Sequence, residues 1–189
     1  MNESECLTAD WNGIGYQEGA RGQSSDSLAR HRKACAKHGV TPDLDAYLAG
    51  WDEGVVRFCT PQKGFNAGSS GHTYQGVCPA DLEPDFMVAY SDGRHLHRLT
   101  QAVHGLSSRI ARDQAHLESV EDDIVRKESQ LIAPEGEIAD RVKLLADIKR
   151  LSEERGELQR AILDLEHELG RAESDLDHYR DDIALQYGL

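Results

Sequence analysis

At 189 residues the chain has room for one medium domain, or for a small domain with an extension. Its net charge of −13 is shared by both halves: residues 1–94 carry 8 Lys and Arg against 13 Asp and Glu, and residues 95–189 carry 13 against 21. No basic stripe exists to hold phosphates, which excludes nucleic acid as a natural partner and argues against attraction to anionic lipid head groups.

The N-terminal part, residues 1–80, is punctuated by Gly and Pro. We expect a helix near 9–20 and a second near 25–38, opened by Ser24 and Ser25 and closed by Gly39. A third should span about 43–58, entered through Thr41-Pro42-Asp43. A loop rich in Gly, Ser and Asn is expected from Thr60 to Gly76. A weak repeat runs through Gly15-Tyr16-Gln17-Glu18-Gly19, Ala46-Tyr47-Leu48-Ala49-Gly50 and Ala89-Tyr90-Ser91-Asp92-Gly93. On a helix, Tyr and the Gly three residues later share one face. The expectation is short helices packed tightly through Tyr–Gly faces. A ligand face formed by Tyr16, Tyr47 and Tyr90 is the functional alternative.

All four cysteines, Cys6, Cys35, Cys59 and Cys78, lie in this head. Their spacings contain no Cys-x-x-Cys knuckle, so a four-Cys zinc site is disfavoured. An even number in a small Gly-rich segment reads as two disulfides, and hence as an oxidising compartment. Of the three possible connectivities, Cys59 with Cys78 would close the loop at its two ends, leaving Cys6 for Cys35; spacing alone leaves all three open.

Several residues also carry a resemblance. Glu5-Cys6, Ala9-Asp10-Trp11, Ile14-Gly15-Tyr16 with Gly19, His31 with Ala34-Cys35, Pro42-Asp43, Ala46-Tyr47 with Gly50, Cys59-Thr60-Pro61, Gly64-Phe65, Gly76-Val77-Cys78-Pro79 and Ala89-Tyr90 with Gly93-Arg94 occur in that order. Over about residues 5–100 the chain resembles an uncharacterised bacterial family of small envelope lipoproteins carrying a domain of unknown function. The resemblance implies a lipidated cysteine upstream of Met1 and a periplasmic place, on the outer membrane. It implies no activity. Trp51-Asp52 departs from the pattern, which more usually has an Arg-containing pair there.

Residues 81–189 read as a long antiparallel helical hairpin. Leu96, Leu99, Val103, Leu106, Ile110, Leu117, Val120, Ile124 and Leu131 follow a heptad, and Leu144, Ile148, Leu151, Leu158, Ile162, Leu165, Leu169, Ala172, Leu176, Tyr179 and Ile183 follow another. The two seams mirror one another about Pro134: Leu99 with Leu169, Leu106 with Ile162, Leu117 with Leu151 and Ile124 with Leu144 are each equidistant from it. A turn is therefore expected at 133–136, where Pro and Gly break the helix. One polar layer, Asp113 with Arg155, obeys the same mirror and is expected to pin the register. Lys127 and Arg141 form a second layer near the tip. The C-terminal end should pack on Phe86, Ala89 and Tyr90.

The fold class expected is all-α: a small disulfide-braced helical head and a long coiled-coil hairpin. No catalytic context is legible, since neither Ser69-Ser70-Gly71 nor any cysteine sits in a nucleophile motif. His95, His97 and His104 are weak metal candidates, read as solvated helix histidines, and no cofactor is expected. No run of about 18 apolar residues could span a bilayer. Met1 is followed by polar Asn2, Glu3 and Ser4 rather than by a signal peptide, so the chain is either cytoplasmic or begins after a removed leader. The expected function is a non-catalytic interaction or scaffold protein of the bacterial envelope. Its membrane attachment would come only through a lipid anchor, and its hairpin would meet another envelope protein. The alternatives are a periplasmic small-ligand or metal-binding protein and, behind it, a cell-wall enzyme using Asp10 or Asp43.

Overall fold

The computed structural model describes residues 1–133 and 137–187. Among the described residues the chain forms seven helices and no strand: α1 (Glu3–Leu7), α2 (Trp11–Gly19), α3 (Ser27–Ala36), α4 (Leu44–Phe58), α5 (Pro61–Ser69), α6 (Glu83–Ile132) and α7 (Ile138–Tyr187). The all-α expectation holds. Helix starts follow from side-chain caps: Asn2, Asp10, Asp43 and Thr60 each accept a backbone N–H of the first turn, and Pro61 follows the Thr60 cap. The loop expected from Thr60 to Gly76 is a correction. Its first half is α5, whose two glycines and Asn disguise a helix that tertiary packing requires.

Contacts divide the chain into two compact units, Met1–Arg98 with the chain from Asp182 onward, and Leu99–Asp181. The first unit reaches Arg98 rather than stopping at 80, because the first turns of α6 complete its packing. It is built twice over. In the first repeat α2 and α4 run parallel with their backbones touching: a Cβ on Gly15 would stand 2.0 Å from the Tyr47 carbonyl, and one on Gly50 2.0 Å from that of Asn12. Gly19 meets Trp51 and Gly54 meets Tyr16 in the same way. In the second repeat α5 and the start of α6 do likewise, with Gly64 against Phe86, Gly68 against Tyr90 and Gly93 against Phe65. Small residues four apart let helices approach this closely.

The repeats share finer detail. Gly15, Gly19 and Gly22 have the spacing of Gly64, Gly68 and Gly71. Gly22 and Gly71 both end their helices at positive φ, 71° and 75°, and each sits on a ring, that of Phe58 or of His97. Cys35 precedes Ala46-Tyr47 by the distance at which Cys78 precedes Ala89-Tyr90. Each repeat carries one disulfide, Cys6–Cys35 and Cys59–Cys78, and no cysteine is free among the described residues. Cys59–Cys78 joins the residues just ahead of α5 and α6, while Cys6–Cys35 joins α1 to the last turn of α3.

Two apolar groups lie in this unit among the described residues. One joins Cys6, Trp11, Leu28, Cys35 and Tyr47; the other joins Val55, Cys59, Cys78 and Phe86, with Phe58, Tyr74 and Tyr90 against it. From the last turn of α7, Tyr187 stacks on Phe65 at 4.5 Å between ring centres and donates to Asp92.

In the second unit the seams meet as expected of a helical hairpin. Leu106, Ile110 and Leu117 cluster with Ile162, Leu165 and Leu169, while Val120 and Ile124 cluster with Ile148, Leu151 and Leu158. Of the turn expected at 133–136, positions 134–136 lie outside the described residues. The polar layer is a correction. Asp113 pairs along its own helix with Arg109 at 4.0 Å, and no Asp113–Arg155 ion pair forms. The short Asp side chain stays on its own helix, and Arg155, half-buried in the seam, has a stem long enough to carry its head group outward. Lys127 bonds Asp147 at 2.7 Å, and Arg141 donates to the Ala133 carbonyl.

A Gly15→Ala or Gly50→Ala substitution must push two backbones apart. Each should lower unfolding free energy in urea by about 1–3 kcal/mol, overpacking outweighing the gain in helix propensity. Gly156, with nothing within 4 Å of its missing Cβ, is the control: Gly156→Ala should stabilise by about 0.5–1 kcal/mol.

Candidate functional site

The first repeat buries a polar network that the second lacks. Glu18 on α2 accepts the Tyr47 hydroxyl proton on one carboxylate oxygen, at 2.5 Å, and meets the His31 Nε2 with the other, at 2.8 Å. Tyr47 is wholly buried. The His31 ring sits edge-on to Trp11 at 5.9 Å, and the Trp51 indole N–H donates to the Gln23 carbonyl at 2.8 Å. Burial, and then the bond to Glu18, push the Tyr47 phenol well above its ordinary range. The phenol is therefore a fixed proton donor, unsuited to act as a base or nucleophile. At the equivalent of Glu18 the second repeat has Ala67. There Tyr90 donates instead to the His72 carbonyl at 2.9 Å and accepts the Tyr74 N–H. Tyr74 donates to Glu83 at 3.0 Å and accepts the Cys78 N–H at 2.8 Å. Burial, foremost, raises its phenol too.

The residues singled out from sequence fall apart into separate roles. Tyr16 is exposed, Tyr47 lies in the core of the first repeat and Tyr90 belongs to the aromatic cluster of the second. The three do not form a common ligand face, because Tyr47 and Tyr90 belong to different repeats. Asp10 and Asp43 both serve as helix caps, bonded to Gly13 and Ala46. His97 bonds the Ser69 carbonyl at 3.1 Å, His95 meets Arg98 at 3.0 Å, and His104 lines a shallow groove with Glu173 and Asp177. Among the described residues, no three His, Cys, Asp or Glu side chains converge as a metal would need. Glu18, His31 and Tyr74 escaped sequence reading: the Glu18–Tyr47 bond spans 29 positions, and no local pattern announces it.

Among the cavities on the first unit, two adjoin the second repeat. One of about 250 Å³ is walled by Arg21, Gly22, Gln23, Phe58, Ala67 and His72 to Gln75. A wider groove of about 470 Å³ runs past Pro61, Gln62, Asp85, Val88, Ala89, Gln186 and Tyr187. Its charged lining is one carboxylate, so it offers a peptide side chain more than it offers an ionic ligand.

The hairpin also exposes large apolar side chains. In heptad notation, with a and d in the seam, His116 and Glu154 are both g positions and touch across the helices at 3.2 Å. The g flanks of the antiparallel pair therefore share one side, and the e and b positions share the other. Val125, Ile132, Ile138, Val142 and Leu145 are all e or b, and they are 61%, 83%, 83%, 61% and 54% exposed. One flank is bridged by ions; the other is rich in exposed apolar side chains towards the tip, with Glu128, at an e position, among them.

The fold and these surfaces define a small disulfide-braced helical domain joined to a helical hairpin. Residues 10–95 match the family model described as protein of unknown function (DUF2799), so the head contains a domain of unknown function. Neither a curated protein nor a solved structure matches the chain.

Replacing Tyr47 by Phe leaves Glu18 without its phenol donor, and should cost about 1–3 kcal/mol at neutral pH. A phenol whose folded pKa is raised stabilises the fold below its unfolded value of 10.0 and loses that contribution as pH climbs above it. Thermal midpoints of the wild type should therefore fall above about pH 10. Tyr47→Phe should flatten that fall without abolishing it, since Tyr74 behaves alike. Identical alkaline profiles for the two proteins would remove the network from the account.

Proposed function

We propose that the chain is a non-catalytic interaction or scaffold protein of the bacterial cell envelope, whose hairpin presents a contact surface to another envelope protein. The observation that carries the reading is the apolar flank of Val125, Ile132, Ile138, Val142 and Leu145. Several exposed apolar side chains grouped on one flank of a helical pair, here with Glu128 among them, mark a contact site. The polar groups of the head support the same reading, being spent on caps and on core hydrogen bonds. Two disulfides suit an oxidising compartment such as the periplasm. Outer-membrane attachment through a lipidated cysteine comes from the lipoprotein resemblance and is part of the proposal.

A photo-crosslinking amino acid placed at Val142 or Leu145 in living bacteria should yield a discrete adduct with another protein. The same probe at Glu154, on the ion-bridged flank, should not. Cell fractionation of the same cultures should place the chain with the outer membrane. Adducts that form equally from both flanks, or from neither, would defeat the contact-surface reading.

A further inference from the structure

We infer that the first repeat of the head is a docking seat for the tyrosine-bearing end of a basic helix from another protein. The second repeat shows what such a seat holds. There Tyr187, in the last turn of α7, stacks on Phe65 at 4.5 Å between ring centres and donates its phenol to Asp92 at 2.7 Å. Phe65 is left only 3% exposed. A ring laid on a ring and a phenol given to a carboxylate hold that helix end in place.

Matched by backbone contact rather than by the Ala-Tyr repeat in sequence, Tyr16 is the counterpart of Phe65. A Cβ on Gly54 would meet the Tyr16 carbonyl as one on Gly93 would meet that of Phe65. Trp51 donates to the Gln23 carbonyl as Tyr90 does to that of His72. Gly22 and Gly71 rest on the rings of Phe58 and His97. Tyr16 to Phe65, Gly22 to Gly71 and Gln23 to His72 are each 49 positions apart, while Trp51 to Tyr90, Gly54 to Gly93 and Phe58 to His97 are each 39. By the second step Glu53 is the counterpart of Asp92. The first repeat therefore has the ring and the carboxylate of an occupied seat. Tyr16 is 39% exposed and Glu53 lies open to solvent. Among the described residues no ring stacks on Tyr16 and no ion pair holds Glu53. Ala46, Ala49 and Gly50 stand where Asp85, Val88 and Ala89 line the groove beside Tyr187, so a helix can come at least as close.

Charge decides the kind of helix. Asp45 and Asp52, both exposed, flank this face where the second repeat has Pro84 and Ser91. With Glu53 they make it acidic, and Arg57 is the one cation of α4. Lysine or arginine beside the incoming tyrosine complements that field. The α7 end of a second copy carries Asp181 and Asp182 and does not, which points to a different protein. The seat lies on the head and does not rest on the reading of the hairpin flank.

Fluorescence anisotropy of a labelled peptide tests the seat on the full chain with its disulfides intact. The probe is residues 176–187 with Asp177→Lys, Asp181→Lys and Asp182→Lys, held helical by a hydrocarbon staple because so short a helix is marginal alone. The chain's own α7 end fills the second seat at high effective concentration, which leaves the first to the probe. Binding should saturate, and Tyr16→Ala or Glu53→Gln in the protein should each weaken it by at least about tenfold. Tyr187→Ala in the probe should do the same, as should restoring its three aspartates. Leu145→Glu on the hairpin should change nothing. Tyr16 and Glu53 are exposed, circular dichroism verifies folding, and Glu53→Gln keeps the test open should Tyr16→Ala unfold. No saturable binding, or binding that survives both head variants, would overturn the proposal. So would loss with Leu145→Glu, which would put the probe on the hairpin, and equal binding of the aspartate and lysine probes would overturn the assignment of a basic partner.

Discussion

A helix backbone can touch another backbone only where no Cβ stands between them. The head is organised around that constraint. Gly15, Gly19, Gly50 and Gly54 bring α2 and α4 together, and Gly64, Gly68 and Gly93 do the same for α5 and α6. Each glycine gives up about 1 kcal/mol of helix propensity relative to Ala, which close packing along the whole contact must offset. Parallel partners cannot be joined by a short turn. The connection in the first repeat is α3, which Cys6–Cys35 ties to α1, and Cys59–Cys78 spans the segment that leads from α5 to α6.

Duplication explains why the head holds together with so few large apolar side chains. Each half has its own glycine contact, its own disulfide and its own aromatic residue at the Ala-Tyr position. A cross-link closing a loop of this size contributes about 3 kcal/mol in chain-entropy accounting, a large share of the stability of a small domain. The halves diverge in their polar interiors. Glu18, itself bonded to His31, accepts the buried phenol of the first, whereas a backbone carbonyl takes the Tyr90 phenol of the second.

Asymmetry of a different kind governs the hairpin. Both helices present an apolar seam, but one flank is closed by His116–Glu154 and Lys127–Asp147 while the other exposes five large apolar side chains towards the tip, with Glu128 among them. Lys127 holds the Asp147 carboxyl below its ordinary range, first through the hydrogen bond and then through its charge. The pair sits at the surface, so its effect is on register and flank polarity more than on stability.

Much of this was legible in the residues themselves. Heptads mirrored about Pro134 implied the hairpin, because apolar periodicity is a local property and antiparallel pairing has one geometry. Even-numbered cysteines without a knuckle implied disulfides for a similarly local reason. The Tyr–Gly repeat was visible but under-read. Gly64 to Ser70 looked like a loop, since propensity disfavours glycine in helices and only the backbone of α6 shows why those glycines are needed. Asp113 and Arg155 were matched in level, yet level does not fix where a short carboxylate reaches, and Asp113 turned to Arg109. The Glu18–His31–Tyr47 network and the open flank belong to tertiary structure alone. The first joins positions far apart in the chain, and the second depends on which exposed positions of two helices come to share a side.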